Sequence, residues 1–362
     1  MHFPFINLKA QYQAYKSEID KAISEVLESS SFIGGRVLDD FEKELASFVG
    51  VKHAIGCSSG TSSLLLALLA LDIKRGDEII VPSFTFVATA EMVSLLGAKP
   101  VFADISLEDY NINVDTVKNL ITDKTKAIIA VSIFGQMSDL LALKNFCKSK
   151  GLYLIEDGAQ SFGARQDDFK SCSMADISCT SFFPSKPLGA YGDAGAVFTD
   201  NDEYAKKIRI YLNHGQNERY KHELIGFNGR LDSIQAAVLR VKLKHLEKEL
   251  VRREELAKAY NEGLKDKNLI LPKIKEGFTS VWAQYSIRLK NRDAIVKRLD
   301  ELGIPSAIHY PLGLHLQKAY ACLSYKKGSL PNTELVSEEI LSLPMSAFLK
   351  DEEQEKVIRA FE

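Results

Sequence analysis

Between residues 53 and 199, short apolar runs alternate with segments whose apolar positions recur at helical spacing. The runs at 53–57, 78–82, 100–104, 127–132, 152–157, 177–183 and 194–199 are nearly continuous in apolar residues. Strands read this way when both faces of their sheet are covered. Segments 60–71, 85–96, 114–121, 140–149 and one beginning near Asp202 read as helices. This alternation predicts an α/β fold with a mostly parallel central sheet flanked by helices. Upstream, 8–29 predicts an N-terminal arm and helix, and 39–49 a helix with Phe41, Leu45 and Phe48 on one face. Downstream, 231–265 predicts one long helix whose charged run at 242–249 reads as a solvated face. Then 281–289 alternates like a strand, 292–302 reads as a helix, 305–310 as strand-like, and 337–341 and 351–361 as helices. The expected organisation is an arm and helix at 1–30, a large cofactor-binding domain at 31–240, and a connecting helix with a smaller C-terminal α+β domain at 241–362.

Composition removes several alternatives. A net charge of -2 leaves no basic footprint for nucleic acid or an anionic membrane. No apolar run reaches the ~18 residues of a membrane span, and residues 1–6 lack the charged start of a secretory signal. The cysteines at 57, 147, 172, 179 and 322 form no CxxC pair, so neither a disulfide framework nor a zinc site is indicated. A cytoplasmic enzyme of two domains is the expectation.

Ligands of such sheets sit at the carboxyl ends of the strands, which singles out the loops after residues 57, 82, 131, 156 and 183. The first holds Cys57-Ser58-Ser59-Gly60-Thr61-Ser62-Ser63. A helix start with small and hydroxylic residues can bind an anion, or the serines can simply cap the helix. It is neither a GxGxxG nor a GxxxxGK[ST] motif. The second holds Phe86, which could stack on a flat heterocycle or pack in the core. At the end of the 152–157 strand, Asp157 could pair with a protonated pyridine nitrogen, with Gln160 near a ring hydroxyl; a helix-capping acid is the other reading. Lys186 lies among Phe182, Phe183, Pro184 and Pro187. A lysine in a dry setting has a lowered pKa and attacks carbonyls. Ser181, five residues earlier, could meet a phosphate at the other end of one ring. An anion cradle, a stacking face, a partner for a ring nitrogen and an amine for an aldehyde are together what pyridoxal phosphate needs.

At these residues the sequence resembles the DegT-type nucleotide-sugar aminotransferases, which have the aspartate-aminotransferase (type I) pyridoxal-phosphate fold. Residues 32–35, 60–61, 82–89, 156–163, 181–189, 226–237 and 309–311 carry the resemblance. It implies that Lys186 holds the cofactor aldehyde and moves the proton, Asp157 pairs with the ring nitrogen and Gln160 reaches the ring oxygen. It implies that Phe86 stacks on the ring and that Gly60, Thr61 and Ser181 hold the phosphate. Asn228 is similar to a residue that reaches the phosphate of the neighbouring subunit, implying a homodimer with shared sites. Arg230 could hold the carboxylate of glutamate or of a uronate, or form an interface salt bridge. His309 and Tyr310 resemble nucleotide-sugar contacts, with small-domain packing as the alternative; His214 could line the same cleft or be a structural histidine.

A narrower likeness lies in 180–189, 214–216 with 219–220, 228–232, 283–285 and 342–345. These look like the subgroup of UDP-2-acetamido-2-deoxy-ribo-hexuluronic acid 3-aminotransferases of bacterial O-antigen and other surface-polysaccharide synthesis. That subgroup takes a UDP-sugar and L-glutamate. Another keto-sugar, such as a 4-keto-6-deoxy or 3-keto-6-deoxy hexose, or a non-catalytic regulatory role, are the other readings. A dehydratase subgroup carries histidine in place of the lysine, so Lys186 favours transamination.

Overall fold

The computed structural model describes residues 3–362. Helices α1 (Leu8–Ser29) and α2 (Arg36–Val49) precede β1 (His53–Cys57) and α3 (Gly60–Ala70). Then come β2 (Glu78–Pro82), α4 (Ala88–Leu95), β3 (Lys99–Ala103), the one-turn α5 (Val114–Val117), β4 (Thr125–Val131), α6 (Leu140–Lys150) and β5 (Tyr153–Asp157). A small hairpin, β6 (Arg165–Gln166) and β7 (Phe169–Lys170), leads to β8 (Ile177–Ser181), β9 (Gly195–Thr199) and α7 (Asp202–Tyr211). A second hairpin, β10 (Gln216–Glu218) and β11 (Lys221–His222), precedes α8 (Ser233–Leu264). The remainder is β12 (Tyr285–Arg288), α9 (Arg292–Glu301), α10 (Pro331–Glu339), β13 (Ile340–Leu343) and α11 (Asp351–Arg359).

Seven strands form one sheet in the order β1-β9-β8-β5-β4-β2-β3. Both neighbours of β9 pair with it antiparallel, and every other pairing is parallel, so β9 alone is reversed. Alternation decides which side chains meet which layer. Ile55, Val81, Ile129, Ile155, Ile177 and Val197 pack on one face, against α3, α4 and α7. Their neighbours Ala54, Ile80, Ile128, Leu154, Ala196 and Phe198 pack on the other. The apolar runs are continuous because both faces are buried.

Side-chain caps fix where the helices begin. Ser59 accepts from the Ser62 amide at α3, Asp139 from Ala142 at α6, and Asp232 from Gln235 at α8. Helix α8 runs unbroken across residue 240. Its far half packs with the antiparallel pair β12–β13 around Tyr260, Trp282, Tyr285, Leu341 and Met345.

Several sequence expectations need correction. Segment 305–310 is not a strand: Ala307 alone bridges, to Ser342, and the prolines at 305 and 311 withhold the amides a ladder needs. Segment 337–341 is split, since α10 ends at Glu339 and buried Ile340 opens β13. Helix α4 starts three residues later than the 85–96 pattern suggested, leaving Phe86 in a turn. The hairpins at 165–170 and 216–222 were not anticipated, because strands of two or three residues show no period. The charged run at 242–249 is not all solvated either: Lys242 is 2% and Glu249 5% exposed. No helix among the described residues is long and apolar enough to cross a membrane.

Candidate active site

Strand β5 ends on two adjacent carboxylic acids that face opposite ways. Asp157 is buried and faces α4, where the Thr89 hydroxyl donates to its Oδ2 at 2.9 Å and the Ala159 amide to its Oδ1 at 3.2 Å. Burial pushes its pKa up, against the two hydrogen bonds and the charge of Lys186. Beyond these two neutral donors and the Lys186 charge, a protonated ring nitrogen would further favour the ionised carboxyl.

Glu156 faces the other layer, wholly buried. It accepts from the Cys172 amide at 2.8 Å and the Ser171 hydroxyl at 2.7 Å, with Ser178 and Ser132 at 3.3 and 3.4 Å. Burial wins over these donors and pushes its pKa from 4.5 up to about 7. The folded state therefore favours the protonated form. That contribution is complete below pH about 4.5 and is lost as pH rises through about 7. A shift of this size amounts to about 3 kcal/mol. Glu156→Gln should remove the slope, so that urea unfolding shows the variant gaining on wild type by roughly 2–3 kcal/mol between pH 5 and pH 8. Parallel stability curves for the two proteins would refute the assignment.

Lys186 lies in the connection from β8 to the reversed β9, its amide bonded to the Phe183 carbonyl at 2.8 Å. Burial pushes its pKa down, and the Asp157 charge opposes this. A depressed pKa raises the share of neutral amine, the form that attacks a carbonyl.

The anion end forms where β1, β9 and β8 align Cys57, Gly195 and Ser181 in one row. Gly60 opens α3 against Ser181; a Cβ on Gly60 would stand 2.6 Å from the Ser181 Cβ. Only glycine permits this approach. The first-turn amides of Gly60 and Thr61 have no intrahelical acceptor and carry the positive end of the helix dipole. This cradle suits a phosphate.

The walls are aromatic. Phe86 is 56% exposed, large for a phenylalanine, with its ring 6.4 Å from that of Tyr310. Phe84 meets Tyr310 edge-on at 6.1 Å. Gln160 donates to the Tyr310 hydroxyl at 3.3 Å and accepts from the Phe134 amide at 2.8 Å. His309, joined to Tyr310 by a cis peptide, has Nδ1 3.1 Å from the Ser342 hydroxyl. Burial and then the Lys186 charge push its pKa down, so a neutral imidazole faces the amine.

One chain thus brings Gly60, Thr61, Phe86, Asp157, Gln160, Ser181, Lys186, His309 and Tyr310 to one edge of the sheet. Of the other three, Asn228 and Arg230 sit on the segment that pairs with the end of β1 beside the anion cradle, and His214 bonds backbone to backbone with Phe227 next to it. Asn228 is exposed, in a segment whose Gly229 carbonyl accepts from the Ser58 amide at 2.8 Å. Arg230 pairs through its backbone with Cys57, and its Nη1 donates to Asn213 at 2.7 Å, while its buried Nε has no partner among the described residues. It borders a cavity with Ile33, Leu38, Glu42 and Arg209. His214 is exposed in a left-handed turn, φ 58°.

Thr89 was missed, although it follows Thr85 by one helical turn and faces the same edge. Also missed was a buried clamp in which His315 Nδ1 meets the Ser83 hydroxyl at 2.7 Å and Nε2 meets Glu334 at 3.1 Å. It joins the end of β2, just before Phe86, to α10. No local sequence signal links residues so far apart.

The sequence profile of the DegT/DnrJ/EryC1/StrS aminotransferase family matches residues 13–362. A UDP-2-acetamido-2-deoxy-3-oxo-D-glucuronate aminotransferase of Pseudomonas aeruginosa is 44% identical over 345 residues, covering 95% of each chain. A dTDP-3-amino-3,4,6-trideoxy-alpha-D-glucose transaminase of Streptomyces venezuelae is 38% identical, covering 99% of this chain and 94% of the other. The crystal structure of ntda from Bacillus subtilis with bound cofactor PMP matches with a TM-score of 0.93 at 31% identity, covering 99% of this chain and 84% of that one.

Proposed function

This chain belongs to the DegT/DnrJ/EryC1/StrS aminotransferase family, and from that premise we propose that it moves the amino group of L-glutamate to C3 of UDP-2-acetamido-2-deoxy-ribo-hexuluronate. The product would be UDP-2-acetamido-3-amino-2,3-dideoxy-glucuronate, a precursor for bacterial surface polysaccharide. The coarser statement is firm: this is a pyridoxal-phosphate-dependent sugar aminotransferase. The observation that carries the chemistry is the convergence of a buried carboxyl, Asp157, and a lysine of depressed pKa, Lys186, beside the start of α3.

When bound, pyridoxal phosphate supplies an aldehyde that takes the amine and a ring that accepts charge from the carbon losing its proton. Everything else falls to the chain. The start of α3 and Ser181 hold the phosphate end. Asp157, steadied by Thr89, keeps a proton on the ring nitrogen. Lys186 is the nucleophile and then carries the proton between donor carbon and cofactor. Phe86 and Tyr310 wall the ring from water, and His309 faces the sugar side. In net terms L-glutamate would give up its amino group and become 2-oxoglutarate, while the keto-sugar would give up its carbonyl oxygen and gain that amino group.

The uronate reading is supported by the 44% identical relative and by the 228–232 and 309–310 segments. A homodimer with shared sites is supported by the exposed apolar Phe32, Ile33, Tyr220 and Ile225, and by the exposure of Asn228 near the anion end. Transfer to another nucleotide-linked keto-sugar is the second reading, favoured by the relative named for a dTDP-sugar, and would use the same cofactor residues.

The test is amino transfer from L-glutamate to three acceptors: the UDP-linked 3-keto uronate, the matching UDP-linked 3-keto hexosamine without a carboxylate, and a dTDP-linked 4-keto-6-deoxy hexose. The expected kcat/KM favours the uronate by roughly 100-fold or more, as for a site built around a charged group that an analogue lacks. Preference for either other acceptor sinks the sugar assignment, and no transfer from glutamate sinks the donor.

A further inference from the structure

Lys242 lies in the middle of α8, 2% exposed. Burying an ammonium costs several kcal/mol even after relaxation, and an apolar side chain in its place would cost nothing of the kind. Its contacts show what the charge is used for. Lys242 Nζ donates to the Gly189 carbonyl and stands 5.0 Å from the centre of the Tyr191 ring.

Gly189 closes the turn that carries Lys186. A Cβ there would fall 2.3 Å from the Pro184 carbonyl oxygen, so residues 184 and 189 are in backbone contact with Lys186 between them. Two residues on, the Tyr191 amide donates to Gln235 of α8 at 2.8 Å. Helix α8 therefore grips the far side of the lysine turn at two points, one neutral and one charged.

From this geometry we infer that Lys242 is a positioning residue for Lys186, its buried ammonium holding the Gly189 carbonyl and so fixing the turn that aims the amine. The inference rests on Lys186 being the amine that serves the cofactor. Lys242 acts through the backbone of 184–189, whose Gly189 carbonyl it holds.

The surroundings make the anchor sensitive to pH. Burial pushes the Lys242 pKa down to about 8, and the Glu249 charge opposes this. Glu249, two turns on, accepts from Gln11 of α1 at 2.9 Å. Arg253 of α8, Tyr12, Tyr15, Glu18 and Asp20 of α1, and Tyr191 are the other titratable and charged groups around it. Tyr191 OH, Gln11 Oε1 and Arg253 Nε are buried there without partners among the described residues. Above pH about 8 the neutral amine still donates a hydrogen bond, but without the charge that strengthens it.

The test is a single turnover of the holoenzyme, following the loss of the visible cofactor band when L-glutamate is added. Lys242→Met keeps the side-chain length and removes the charge. At pH 7 the maximal bleaching rate should fall about tenfold or more, the scale of a small misplacement of a reacting group. Half-saturating glutamate and cofactor per chain should stay within about threefold. The ratio of wild-type to variant rate should then shrink as pH rises through about 8, because wild type loses the same charge. A ratio that does not change with pH, an unchanged rate, or rate and half-saturation moving together overturns the inference. Lys242→Gln, which keeps a polar head in the pocket, carries the same comparison should Lys242→Met fail to fold. Lys186→Ala run alongside separates the premise from the inference: bleaching by that variant at the wild-type rate would discard the role of Lys186 itself.

Discussion

Lys186→Ala is expected to lower kcat by about 10⁴-fold or more and to abolish the visible band that glutamate bleaches in wild type. In the proposed mechanism the lysine would serve twice, as nucleophile toward the cofactor aldehyde and as the group that moves the proton. A positioned acid or base alone contributes ~10²–10⁴-fold, and nucleophilic catalysis adds to it. The loss should be absolute in character rather than a weakening of binding. The variant keeps Asp157, Thr89 and the start of α3, so it should still take up pyridoxamine phosphate, which needs no lysine. Turnover within tenfold of wild type, with a normal band, would end the assignment of Lys186 as the catalytic residue.

Asp157→Asn is expected to cost about 10²–10³ in kcat while leaving KM for glutamate nearly unchanged. The amide fills the same space: its oxygen can keep the bond from the Ala159 amide while its NH2 donates to the Thr89 hydroxyl, which can accept, so the main loss is the charge. Removing one partner of a buried ion pair costs ~3–5 kcal/mol, which as a barrier is ~10²–10³-fold or more. The charge matters most when the substrate carbon has lost its proton, and that places the loss in kcat. Burial drives the Asp157 carboxyl toward neutrality, against the Thr89 and Ala159 hydrogen bonds and the Lys186 charge; a protonated ring nitrogen beside it would favour the ionised form. Steady-state kinetics at saturating cofactor decide this, and a kcat within threefold of wild type would sink the pairing.

The sheet and half of the site could be read from residue order. A strand buried on both faces betrays itself by continuous apolar residues, and the ends of such strands mark where a ligand sits, so Asp157 and the 60–61 turn were found without coordinates. Lys186 was legible because a lysine set among phenylalanines and prolines is out of place on a surface. The failures have a shared cause. Lys242 and Glu249 sit in a charged run that composition assigns to solvent, and only the approach of α1 and of the 184–191 turn buries them. Thr89, and the clamp of Ser83, His315 and Glu334, are contacts across long sequence separations, which no local period encodes. The 305–310 segment alternates like a strand, yet proline denies it a ladder, and its His309 and Tyr310 serve the cleft instead. Asn228 and Arg230 come beside the end of β1 through a backbone bridge to Cys57, again a contact across a long sequence separation.

The opposed directions of Glu156 and Asp157 set a rule of parity for the chain. In β1, β2, β5, β8 and β9 the odd-numbered core residues meet the layer of α3, α4 and α7, and the even-numbered ones meet the other side, while β3 runs with the opposite parity, Phe102 facing that layer and Ala103 facing away. Asp157 is odd, and so are Ile155, Ile177 and Cys179 beside it. One residue inserted in β5 ahead of Glu156 would present glutamate to the cofactor side and leave aspartate facing the serines. Both are acids, and composition would not change in kind, but the carboxylate would arrive one methylene too far forward. Drift in the loops is tolerable for this enzyme; a change of count within β5 is not.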